Sequence, residues 1–181
     1  MHRQLATGFA CLSTLTILAG CVTAPMPTPP AVPESLAVPA QQILSRKFQA
    51  DGVQIYECKS SHDAPARMDW VFRAPEAQLR DSAGHIAGRH YAGPTWEAND
   101  HSKVVAEVRA RIAAPDPDAI PWLLLSATST TGSGVFGHTM SIQRLNTSGG
   151  KAPLSGCDQA HDGQEARVPY KADYFFYALR P

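Results

Sequence analysis

The sequence predicts an all-β fold, a single antiparallel β-sandwich or barrel-like domain over residues 41–181. Three observations carry this expectation. Apolar and polar residues alternate over several short runs, the period of a half-buried strand. Turn signals rich in Gly, Asn and Asp separate those runs at short intervals. No segment of convincing length has a helical period, apart from a short helical turn suggested at Glu76–Leu79.

The runs follow in order. Val53 to Cys58, Trp70 to Arg73 and Trp122 to Leu125 are short apolar segments. From Val104 to Ile112, Val104, Ala106, Val108, Ala110 and Ile112 share one face, with Val105, Glu107, Arg109 and Arg111 on the other. A helical reading leaves Ala106 and Ala110 unexplained, so a strand is preferred. Phe136, His138, Met140 and Ile142 form another set at period two. Near the end, Val168, Tyr170, Ala172, Tyr174 and Phe176 alternate with Pro169, Lys171, Asp173, Phe175 and Tyr177. Aromatic and β-branched residues suit a pleated, half-buried surface. Many short strands with frequent turns point to a sandwich or barrel. Trp70 and Trp122, lying in apolar runs, read as core.

Four stretches carry a family resemblance: His90–Glu97 (HYAGPTWE), Ala119–Leu125 (AIPWLLL), Ile142–Gly150 (IQRLNTSGG) and Val168–Tyr177 (VPYKADYFFY). Together they resemble the domain-of-unknown-function family numbered 3455, over roughly residues 41–178. The resemblance implies a secreted all-β domain and brings no activity or catalytic residues. Where such proteins often continue with Asp-Gly-Ser, this chain has Asp100-His101-Ser102. His101 in the glycine's place weakens the case that this turn needs a positive φ.

The N-terminus reads as an address. His2 and Arg3 precede an apolar stretch from Leu5 to Ala19, about 15 residues, short of the ~20 needed to span a bilayer. It ends in Leu18-Ala19-Gly20-Cys21, which resembles a bacterial lipobox. The resemblance implies cleavage before Cys21 and a diacylglyceryl thioether with further acylation there. Several acyl chains, at ~0.8 kcal/mol per buried methylene, hold a protein on a membrane without a span. Residues 1–20 are then the signal peptide. Residues 21–40 are the lipidated Cys and a Pro-rich tether, since Pro disfavours helix and ladder alike. Val22 after the Cys suggests the outer membrane.

Of the four Cys, Cys11 leaves with the signal and Cys21 takes lipid. Cys58 and Cys157 remain in an oxidising compartment and are expected to form a disulfide. It would close a loop of about 100 residues, for which the chain-entropy model gives ~4.7 kcal/mol. With 16 basic and 16 acidic side chains, the chain lacks the basic footprint of a nucleic-acid binder.

Chemistry-bearing residues concentrate between His85 and Ser102. His90, Glu97 and Asp100 are candidates for acid-base catalysis, because imidazole and carboxylate can be tuned towards neutral pH. Tyr91 and Trp96 are candidate binding residues, their rings suited to sugars or other small molecules. The Gly93-Pro94 pair should turn or bulge the chain there, bringing His90, Tyr91, Trp96 and Glu97 to one rim. The same residues also read as core, turn and cap groups. Arg144 could pair with Asp173 or Glu97. His85, His90 and Glu97 lack a metal-ligand spacing, and no phosphate loop, nucleophile elbow or haem motif occurs, so no metal or cofactor is expected. Three functions stay open: a binding or accessory module for a small molecule, glycan or envelope partner; a hydrolase working through His90 and Glu97; and a structural partner in an envelope complex.

Overall fold

A computed structural model describes residues 28–60 and 67–180. The signal peptide, Cys21 and residues 22–27 lie outside them. Eight strands, β1 (Gln42–Ser60), β2 (Met68–Arg80), β3 (Ile86–Tyr91), β4 (Thr95–Ala98), β5 (Lys103–Ile112), β6 (Trp122–Thr131), β7 (Thr139–Gly149) and β8 (Glu165–Leu179), close into a barrel in sequence order. Every neighbouring pair is antiparallel, and β1 seals the ring by pairing with both β2 and β8. Closure removes the edges that an open sheet must protect. No helix among the described residues is long and apolar enough to cross a membrane.

The C-terminal alternation holds from Tyr170 onward: Tyr170, Ala172, Tyr174 and Phe176 point into the barrel core, while Val168 is only half-buried and lies outside it. Elsewhere bulges break it. In β5, Val104 and Ala106 pack inside, but a bulge between Val108 and Ala110 flips the parity. Ala110 and Ile112 therefore join a second cluster on the outer face. The segment Glu76–Leu79, read as a helical turn, is β2 instead, with Ala77 and Leu79 buried inside. Phe136 precedes β7 and turns into the barrel, where it packs on Phe48 and Phe176 and closes one end.

Within the stretch read as a Pro-rich tether, residues 32–38 dock on the barrel through the second cluster. Leu36, in a single 3-10 turn (Glu34–Leu36), is fully buried against Leu44, Leu145, Phe175 and Tyr177, flanked by Val32 and Val38. Gln143 Nε2 donates to the Leu36 carbonyl at 2.7 Å. Proline sets the chain direction here, and the apolar residues between the prolines dock it on the barrel. Trp122 packs at this outer cluster. Trp70 is also outside the barrel core, donating its indole N–H to the Ser155 carbonyl.

The Cys58–Cys157 disulfide is formed, tying the end of β1 to the β7–β8 loop across 99 residues.

Candidate functional site

The two ends of the barrel differ. At the closed end, Asp100 accepts from Ser102 Oγ at 2.6 Å and from the Val135 amide at 2.8 Å, and Ser102 Oγ accepts from the Phe136 amide. These bonds hold the β6–β7 loop so that Phe136 plugs the core. Gly134 permits this: a Cβ there would sit 2.0 Å from Asp100 Oδ2. The hydroxyl and amides hold the Asp100 carboxyl below its usual range. Asp100 thus performs structural work, far from the open end. His101 takes φ of +65°, so this turn does need the left-handed conformation, and the chain accommodates it without glycine.

At the other end lies a cavity of about 390 Å³, reached between β2 and β5 over the short β3–β4 hairpin. The Gly93-Pro94 turn, as the sequence indicates, forms part of its rim beside Phe72, Pro75 and Val108. Strand parity divides the residues expected to share one rim. His90 and Trp96 pair across β3 and β4 and point inward, their rings stacked at 4.2 Å. Tyr91 and Glu97 point outward.

On the outer face, Glu97 accepts from Tyr91 Oη at 2.8 Å and from Arg89 Nη2 at 2.9 Å, with Lys103 Nζ at 3.6 Å. The tyrosine hydroxyl and the guanidinium hold its carboxyl down at about 2. Such a carboxylate is fully ionised at neutral pH and separated from His90 by the sheet, so the two cannot flank one substrate as acid and base. His85 sits on the exposed β2–β3 turn, apart from both. A larger depression of about 650 Å³ also lies on this outer face. Its charges are matched, Arg89 with Glu97, Arg167 with Glu76 and Asp51 with Lys171.

Inside, His90 is neutral. Burial, opposed by the bond to Thr95 and helped by the charge of Arg144, lowers its pKa to about 3. The 2.8 Å contact of Nδ1 with the Thr95 carbonyl puts the proton on Nδ1, leaving Nε2 as an acceptor. Arg144, on β7 opposite Tyr174, also lines the cavity. It does not pair with Asp173 or Glu97: parity places Asp173 outside, bonded to Lys47 and Asn146. Instead Arg144 Nε and Nη2 both donate to the Pro121 carbonyl, at 3.1 and 2.9 Å.

Around this guanidinium, four buried donors lack a partner: Gln54 Nε2, Trp96 Nε1, Tyr170 Oη and Tyr174 Oη. Tyr170 Oη stands next to Tyr174 Oη and the Gln54 amide, and Tyr174 Oη next to Arg144, close enough to interact, yet neither the two hydroxyls nor Gln54 Nε2 makes a hydrogen bond of good geometry. Burial raises both phenol pKa values, so the hydroxyls stay protonated. Gly150, at φ +84°, brings this group together: a Cβ there would meet Tyr170 Cβ at 2.8 Å and Gln54 Cγ at 3.1 Å. Its carbonyl accepts from Tyr56 Oη at 2.6 Å.

Sequence reading identified His90 and Trp96 but missed Gln54, Arg144, Tyr170 and Tyr174 as site residues. The available signal was parity: Arg144 alternates with Ile142, and Tyr170 with Tyr174, on core-facing positions. A charge on a core face needs a reason.

Comparison with curated proteins and with solved structures finds no match. A family model does match residues 39–178, most of the chain, and by it the protein belongs to the family described as protein of unknown function, DUF3455.

Proposed function

We propose that this protein is an exported envelope lipoprotein, anchored through Cys21, whose barrel takes up a small organic molecule at its open end. The carrying observation is a set of three unpartnered buried donors on residues that line one cavity, Gln54 Nε2, Trp96 Nε1 and Tyr174 Oη, with a fourth, Tyr170 Oη, behind Tyr174. A buried donor without a partner costs ~1–3 kcal/mol, and three lining one cavity favour a guest that accepts from them. The volume falls in the range of small-molecule sites, with mainly apolar walls and a few convergent polar groups. All four stretches that carry the family resemblance contribute: His90 and Trp96; Leu123, Leu125 and the Pro121 carbonyl; Arg144; and Tyr174. A glycan platform is less well supported, because Trp96 is 1% exposed and its face is taken by His90.

Docking of Val32 to Val38 on the barrel leaves about ten residues after Cys21, a reach of at most about 30 Å. The barrel then stays close to the membrane surface. Cys21→Ser should release the protein from membrane fractions or leave it unprocessed; unchanged processing and membrane association would refute the anchor. For the cavity, ligand-observed NMR of a fragment library with the purified full-length protein should yield binders that Val108→Trp, at the rim, blocks. Val108 is 40% exposed, so its replacement should leave the fold intact. A library without one Val108→Trp-sensitive binder would overturn the cavity reading.

A further inference from the structure

We infer that the guest is an organic anion: a monocarboxylate on a planar apolar body, its carboxylate set against Arg144. This rests on the cavity-binding reading above and specifies its ligand. Charge comes first. Among the described residues, Arg144 is the one cation on the inner wall, and no Asp or Glu lines the cavity. Arg73, at the rim, is already paired with Glu57 at 3.0 Å. Two of the five guanidinium N–H groups are spent on the Pro121 carbonyl, which leaves three. That carbonyl also fixes the orientation of the guanidinium before any ligand arrives, so little ordering is required on binding.

Hydrogen-bond polarity points the same way. Tyr174 Oη, Trp96 Nε1 and Gln54 Nε2 line the cavity, can all donate and are unpartnered, and Tyr170 Oη stands behind Tyr174. A donor-rich cluster with a single positive charge complements a group that only accepts and carries one negative charge. A carboxylate meets both conditions; a phosphate dianion would exceed the available charge. Shape supplies the remainder of the molecule. The stacked His90–Trp96 pair, Phe72, Pro75, Leu123 and Leu125 offer flat or apolar walls to a ring system rather than to a hydrated chain.

The test uses 2-naphthoate and its uncharged isostere 2-naphthamide, titrated into the purified full-length protein by calorimetry at neutral pH. The acid should bind, and the amide roughly tenfold or more weaker, as expected for losing a charge-assisted contact. Arg144→Gln should bring the two affinities together. Tyr174→Phe, which keeps the packing and removes one donor, should weaken the acid by roughly threefold to tenfold. Equal binding of acid and amide to the wild type, blocked by Val108→Trp, would overturn the anion inference while leaving the cavity reading in place. Binding of neither probe would likewise overturn the inference, and the fragment library then judges the cavity separately. The acid–amide comparison needs no variant, so a failure of Arg144→Gln to fold leaves the test intact.

Discussion

Tyr174 and Tyr177 lie three residues apart on β8, both almost wholly buried, and their hydroxyls meet opposite circumstances. Tyr177 faces outward, beneath the docked N-terminal segment. Its hydroxyl donates to Gln143 Oε1 at 2.7 Å, and Gln143 Nε2 donates to the Leu36 carbonyl. That chain of bonds closes on the protein itself. Tyr174 faces inward, beside Arg144, Gln54 and Tyr170, and its hydroxyl has no partner. Native interiors pair their buried polar groups almost without exception. The outer cluster, where Trp122 Nε1 is the unpartnered atom, follows that rule nearly everywhere; the inner cluster breaks it four times in one place. The contrast separates a surface built to hold a segment of this chain from one built to hold something else.

Four changes would break or sharpen that contrast. The largest concerns the outer clasp. Leu36→Ala empties a fully buried site and should destabilise the fold by ~2–5 kcal/mol, read by denaturant melts. Binding of 2-naphthoate should persist; its loss would show that clasp and cavity are one unit.

Acid should act through the inner cluster. The folded pKa of His90 is lowered to about 3 from 6.5, so at intermediate pH the unfolded chain binds a proton that the folded chain refuses. Stability is fully present above pH 6.5 and falls as pH drops towards 3. Glu97, held at about 2 against 4.5, contributes its own loss only below pH 4.5. Between pH 6.5 and 4.5 the wild type should therefore lose roughly 2 kcal/mol that His90→Gln does not. Parallel curves for the two proteins would mean that His90 is accessible to solvent.

The tyrosine pair gives the most direct comparison. Tyr177→Phe leaves Gln143 Oε1 buried without a donor and should cost ~1–3 kcal/mol. Tyr174→Phe removes a hydroxyl that makes no hydrogen bond of good geometry, and stability should move by less than about 0.5 kcal/mol. Equal losses would place a structural partner on Tyr174 and weaken the cavity reading. The smallest effect belongs to a position in neither cluster. His101 at φ +65° is strained, and His101→Gly should raise stability by roughly 0.5 kcal/mol once the added freedom of the unfolded chain is subtracted.

Read along the chain, the all-β class, the Gly93-Pro94 turn and the inward row on β8 were legible, because each rests on local alternation or on backbone restriction. The disulfide was legible because only Cys58 and Cys157 remain once the N-terminal cysteines are assigned to export. The even charge balance and the Leu18-Ala19-Gly20-Cys21 pattern are likewise properties of the chain itself. Three matters were decided only in three dimensions. Barrel rather than sandwich depends on β1 finding both β2 and β8, a non-local pairing that no window of sequence contains. The face of Ala110 and Ile112 depends on a single bulge, since one extra residue reverses every side chain beyond it. The site depends on which side of the sheet each polar residue takes. Glu97 and His90 are seven residues apart and lie on opposite faces, whereas Gln54, Trp96, Arg144 and Tyr174 come from distant strands to one cavity. Sequence supplied the donors and the charge; closure of the ring turned them towards each other.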